Sequence, residues 1–137
     1  MPQDISGYDV GALLYCPANA HHTVAQAVAA ERLPRPFSLA LCLEDTVRAD
    51  ALAAAEQAVE QTLHDLTDAA RQETFYRPLT FVRVRSPEQL ARLGRAYGKY
   101  RPLLTGFILP KFFIETCGAY CAVIRDLQAD GLDYFYM

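Results

Sequence analysis

The sequence predicts an α/β fold in which about five parallel strands alternate with helices. Three observations carry this expectation. Short apolar runs recur along the 137 residues: Gly11–Cys16 (GALLYC), Ser38–Leu43 (SLALCL), Leu79–Val84 (LTFVRV), Thr105–Leu109 (TGFIL) and Leu132–Met137 (LDYFYM). Most are near-continuous rather than alternating, which is the pattern of strands covered on both faces. The segments between them carry helical signals. Strand–helix alternation of this kind dictates a parallel sheet with helices as crossovers.

Each element has a local reason. Pro17 closes the first run. Ala20–Ala30 is rich in alanine and suits a helix, which Pro34 and Pro36 in ERLPRP prevent from continuing. Arg48–Gln72 is the longest helical segment. Leu52, Ala55, Val59, Leu63 and Leu66 form its apolar stripe, and Glu56, Gln57, Glu60, Gln61 and His64 lie between. Ser86-Pro87-Glu88-Gln89 reads as a helix start, with Ser86 as N-cap, Pro87 at the first helical position and Gln89 three residues after the cap. That helix is expected to reach Tyr100. Pro110 closes the fourth run, and a further helix is expected over Ile114–Ala129. Residues 1–137 are read as a single domain.

Composition narrows the function classes. The chain is 52% hydrophobic and 21% charged, an ordinary soluble composition, with a net charge of -3. No Lys/Arg block is present, which argues against a nucleic-acid partner. No apolar run approaches the ~20 residues that cross a bilayer. MPQDISGYDV lacks the basic and apolar regions of a secretory signal, so a cytoplasmic location is expected. Cys16, Cys42, Cys117 and Cys121 are then reduced thiols. Cys117 and Cys121 read as small helix residues rather than half a metal site, because no CxxC or histidine partner accompanies them. His21 and His22 are adjacent on a helix and point apart, which disfavours a shared metal. His64 belongs to a solvated helix face.

Two architectures fit the alternation: an open doubly wound sheet, and part of a (β/α) barrel. Both place their chemistry at the C-terminal ends of the strands. Those ends read CPAN (Cys16–Asn19), LEDT (Leu43–Thr46), RVRS (Arg83–Ser86) and LPKF (Leu109–Phe112). The first is polar, the second anionic and the last two cationic. Their convergence would make either a metal-assisted site for an anionic substrate or a set of structural salt bridges. No GxGxxG, GxxxxGK[ST] or GxSxG pattern supports a dinucleotide site, a phosphate loop or a serine nucleophile.

LYCPAN, LCLEDTV, FVRVRSP and GFILPKF, in that order, resemble the citrate lyase beta-subunit-like branch of the HpcH/HpaI aldolase superfamily. The segments of that family run approximately hydrophobic-VP-A/G, DLEDAV, RVN and LPK. The similarity extends from Gly11 to Met137. It implies a partial TIM (β/α) barrel, with this chain as its N-terminal part. It also implies a magnesium-dependent carbon–carbon lyase acting on a 2-oxo acid, a hydroxy acid or an acyl-CoA. Cleavage beside a carbonyl leaves an enolate, whose charge a divalent cation and a guanidinium can hold.

By the same resemblance, Arg83 matches the arginine of RVN and would bind the oxo or carboxylate group of the substrate. Glu44 and Asp45 match the acidic pair of LED and would orient Arg83 and the magnesium-bound waters. Lys111 matches the lysine of LPK and would face the same rim, Pro17 matches the proline that ends the first strand, and both are expected to contact the substrate. Gly11-Ala12 stands where the family has Arg-Ser, and Arg85 stands where it has Asn. Direct carboxylate ligands for Mg2+ are expected beyond Met137. Glu115, four residues after Lys111, is placed at the start of the following helix rather than on a metal.

A complete barrel takes about 250 residues. The expectation is therefore a fragment, or a half-barrel completed by a partner chain or as a homo-oligomer, with an unprotected edge at the fifth strand. Two other functions fit the residues. One is a non-catalytic half-barrel acting as an assembly or binding protein. The other is a small open-sheet module with a ligand at a topological switch point.

Overall fold

The computed structural model of the chain describes residues 4–137, apart from the side chains of Ala20, His21 and His22. The reading of His21 and His22 lies outside the described residues. The elements are β1 (Leu13–Pro17), α1 (His21–Ala29), β2 (Ser38–Cys42), α2 (Leu52–Gln72), β3 (Thr80–Arg83), α3 (Pro87–Ala96), β4 (Leu104–Ile108), α4 (Ile114–Ala129) and β5 (Phe135–Tyr136). Every pairing is parallel. The spatial order is the chain order, β1-β2-β3-β4-β5.

That order decides between the two architectures. A doubly wound sheet reverses direction part-way and binds its ligand at the reversal. This sheet never reverses, so it has no switch point, and the open-sheet module is ruled out. Crossovers that always step the same way, with the usual right hand, put every helix on one face. The core agrees. Val28 of α1, Leu63 of α2, Leu90 of α3 and Leu127 of α4 share one buried cluster with Leu39, Leu41 and Val82 of the sheet. The alternate residues Ala40, Phe81 and Ile108 form a second cluster with Val10 on the opposite face. The chain is a five-stranded sector of a (β/α) barrel, with helices outside and strand-borne side chains inside.

Local chemistry accounts for the helix that follows β3. Ser86 Oγ accepts a hydrogen bond from Gln89 N at 3.2 Å, as an N-cap should. Gln89 Oε1 reaches back to Arg85 N at 2.7 Å, one residue further than the reciprocal box requires. Gln89 Nε2 and Arg92 both donate to Glu56, which ties α3 to α2. The helix expected to reach Tyr100 stops at Ala96, and Gly98–Tyr100 forms a separate 3-10 turn. The start expected at Arg48 is likewise a 3-10 turn, Ala49–Ala51, before α2 proper.

The two edges differ from expectation. The first run was read as buried, but β1 is flanked only by β2, which leaves Leu14 and Tyr15 exposed. β5 pairs through only two residues, Gly106↔Phe135 and Phe107↔Tyr136. The β3–β4 pairing shifts register between Thr80 and Phe81. A Cβ on Gly106 would lie 1.7 Å from the Phe135 carbonyl oxygen, so only glycine fits there. Among the described residues, no helix is long and apolar enough to cross a membrane.

Candidate functional site

The period of two along β2 sends Leu41 and Leu43 toward the helices and Ala40 to the inner face, which Glu44 shares two steps beyond Cys42. Glu44 is 6% exposed. Its Oε2 accepts a hydrogen bond from Arg83 Nη2 at 2.8 Å. Its Oε1 lies 2.8 Å from Lys111 Nζ. Arg83 is the last residue of β3, and Lys111 follows β4, so three successive strand ends converge on one carboxylate. Asp45 stays at the rim, 68% exposed, with Oδ2 3.5 Å from Arg83 Nη2. The two adjacent acids therefore have different environments: one is buried between two cations and the other is solvated.

Burial alone would push the Glu44 carboxyl up. The hydrogen bonds with Lys111 and Asp45 and the charges of Arg83 and Lys111 together outweigh it and hold the group below the usual carboxylate range. Burial works against the charge of Arg83 too, but Glu44 and Tyr15, with a smaller contribution from Cys42, together outweigh it and raise the guanidinium above its ordinary value. The Glu44 hydrogen bond raises the Lys111 ammonium above its ordinary value. The cluster is thus a set of mutually stabilised charges.

Further residues, not found by reading the sequence, complete the geometry. The Arg83 guanidinium carbon lies 5.8 Å from the centre of the Tyr15 ring. Tyr15 is on β1 and Arg83 on β3. Tyr15 is in register with Ala40 of β2 and Arg83 with Cys42 two residues further on, so the ring and the guanidinium meet diagonally across β2. Arg83 Nε is buried without a hydrogen-bond partner among the described residues. Lys111 has φ 51, in the left-handed region that a side chain rarely adopts. Thr116 Oγ1 latches that turn, donating to Lys111 O at 2.7 Å and accepting from Phe113 N at 3.1 Å. Arg85 turns its guanidinium to the backbone that carries Glu44, bonding the carbonyls of Leu43, Glu44 and Val47.

Pro17 ends β1 in register with Cys42, which is itself in register with Arg83, and it is exposed at the sheet edge. Glu115 sits in the first turn of α4, as expected. Cys16, Cys42, Cys117 and Cys121 are all free, and Cys121 is exposed. His64 is exposed beside Asp65 and Asp68. Among the described residues, no three His, Cys, Asp or Glu side chains come together as a metal site. Both oxygens of Glu44 already serve cations, so of the acidic pair only Asp45 offers a solvent-facing carboxylate. A concavity of about 770 Å³ lies at the other end of the strands, between Arg77, Leu79, Arg101, Leu104 and Phe135, away from this cluster.

A family model described as C-C bond lyase of the TIM-barrel fold matches residues 4–137. No curated protein matches the chain.

Proposed function

Because the chain belongs to the C-C bond lyase family of the TIM-barrel fold, we propose that the Glu44 cluster serves a magnesium-dependent carbon–carbon lyase of the citrate lyase beta-subunit-like kind. Its substrate is a 2-oxo acid, a hydroxy acid or an acyl-CoA. The observation that carries this reading is the meeting of Arg83 and Lys111 on Glu44 at the C-terminal ends of three adjacent strands. In barrels of this class, that end of the strands is where the chemistry takes place.

In this reading, Arg83 presents its planar donors to the carboxylate or oxo oxygen of the substrate. Glu44 holds the guanidinium from one side and Tyr15 supports it from beneath. As the carbon–carbon bond breaks, the hydroxyl on the departing carbon gives its proton to solvent and becomes a carbonyl, while the bonding pair passes to the carbon next to the remaining carbonyl and its charge spreads to that oxygen. Arg83, with Lys111 at the exposed rim, stabilises that oxyanion, and the preorganised donors cost no rearrangement at the moment of reaction. A bound magnesium ion would supply further positive charge to stabilise the enolate. The described residues do not make up its ligand set. Carboxylates from outside them would hold it, and Asp45 would orient the waters bound to it.

A second reading is a non-catalytic half-barrel that binds another chain, either a second copy or a completing partner. The exposure of Leu14 and Tyr15 on edge strand β1 favours it. Oxalate, a dianion shaped like the enolate of a 2-oxo acid, tests the lyase reading. Its binding is measured by calorimetry, with Mg2+ present, on the protein purified from its own cells. Binding is expected, with Arg83→Ala weakening it by about 10²-fold, the effect of losing one oxyanion donor. Absence of binding, or equal binding by Arg83→Ala, overturns the lyase reading in favour of the second.

A further inference from the structure

We propose that Arg85 is a positioning residue, which fixes where the Glu44 carboxylate stands by gripping the backbone of the turn that carries it. The inference rests on the reading of Glu44 as the central carboxylate of the site. β2 ends at Cys42, and one further inter-strand bond, Leu43 N to Arg83 O at 3.0 Å, carries the pairing past it. The chain then turns, closed by Val47 N donating to Glu44 O at 3.1 Å and by Thr46 Oγ1 donating to Cys42 O at 3.3 Å. The turn leaves carbonyl oxygens directed at one point, and the Arg85 guanidinium occupies it. Nε donates to Leu43 O at 3.2 Å, and Nη2 donates to Glu44 O at 3.0 Å and to Val47 O.

One planar fork thus bonds carbonyls on both sides of Glu44. An ammonium at the end of a flexible stem cannot reproduce that set of directions. Arg85 is itself anchored, because its backbone N donates to Gln89 Oε1, and Gln89 is nearly fully buried and bonded to Glu56. A continuous set of hydrogen bonds therefore runs from α2 through Gln89 and Arg85 to the turn at Glu44. The Arg85 side-chain donors that form bonds go to protein carbonyls, so the residue acts through Glu44 rather than on a substrate.

The test is the carboxyl titration of Glu44, followed by carbon-13 NMR in Arg85→Lys, Arg85→Gln and Arg92→Gln. The titratable and charged groups facing Glu44 are Arg83, Lys111, Asp45 and, from α4, Tyr120, and none of these variants alters them. Arg85→Lys keeps the charge and loses the fork. It is expected to raise the Glu44 midpoint by about one pH unit, as the contacts with Arg83 and Lys111 loosen. Arg92→Gln breaks the Glu56 bridge between α2 and α3, and should lower the melting temperature while leaving the midpoint unmoved.

A wild-type midpoint in Arg85→Lys overturns the proposal, since charge alone would then suffice. An equal shift in Arg92→Gln also overturns it, since general loosening would then explain the effect. Should Arg85→Gln fail to fold, Arg85→Lys carries the test alone. The readout needs no substrate, so a failed oxalate experiment and a failed positioning role remain distinguishable.

Discussion

Glu44 Oε1 and Lys111 Nζ are 2.8 Å apart, although β3 stands between the strands that carry them. The lysine crosses over the end of β3, and the Arg83 guanidinium from that strand takes the other carboxylate oxygen. One buried anion therefore gathers cations from two neighbouring strands, which makes it the element of the site most sensitive to change.

Replacing Glu44 by Gln keeps the shape and removes the charge that both cations face. The variant is expected to lose about 2 kcal/mol of stability, the scale of a hydrogen bond to a charged group. Urea unfolding with an unchanged slope would measure it. A loss below about 0.5 kcal/mol would mean that the two cations do not depend on Glu44.

The depressed Glu44 carboxyl also sets an acid limit. Its folded-state value lies below the ordinary 4.5, so the unfolded chain takes up the proton first as the pH falls. The stabilisation is complete above the unfolded value and is lost as the pH drops through the folded one. Lys111→Met removes the hydrogen bond that offsets burial, so its Glu44 midpoint should rise. Stability followed from pH 6 to pH 2 should then decline less steeply below 4.5 in Lys111→Met than in wild type. Parallel curves would show that Lys111 does not hold the carboxylate.

The backbone at Lys111 separates strain from charge. Both Lys111→Ala and Lys111→Gly discard the ammonium, but only glycine accepts φ 51 without cost. Lys111→Gly is expected to be more stable than Lys111→Ala by about 1 kcal/mol. Both variants should bind oxalate more weakly than wild type. Equal melting temperatures for the two would argue that the turn relaxes out of the left-handed region.

Two glycines should respond unequally to alanine. At Gly106 the new methyl would meet the Phe135 backbone, which cannot yield without breaking the β4–β5 pairing. At Gly94 it would meet the end of the Leu127 side chain at 2.7 Å, which can rotate away. Gly106→Ala is expected to cost more than about 3 kcal/mol and to expose the Leu109 and Met137 amides, which bond across this edge, to hydrogen exchange. Gly94→Ala should cost about 1 kcal/mol, because its helix propensity gain offsets part of the crowding. A reversed order would contradict the close approach of β5.

The strand runs, the helical stripe of α2 and the Ser86 cap could be read from the sequence because their causes are local. Apolar spacing, a hydroxyl three residues ahead of an amide and a proline that stops a run all act within a few residues of one another. The strand-end acids and bases were visible for the same reason, since each closes an apolar run. What the sequence could not separate was Glu44 from Asp45, two neighbouring carboxylates with the same chemistry. Only the alternation of β2 within a fixed parallel register buries one and leaves the other in water. The same sheet brings Tyr15 diagonally across β2 to Arg83, aims Arg85 at three carbonyls, and makes β1 an edge. These relationships join residues distant along the chain, and they arise only when sequential strand order sets which strands are neighbours. The tertiary structure therefore decided the partners and charge environments of side chains whose positions at strand ends the sequence had already determined.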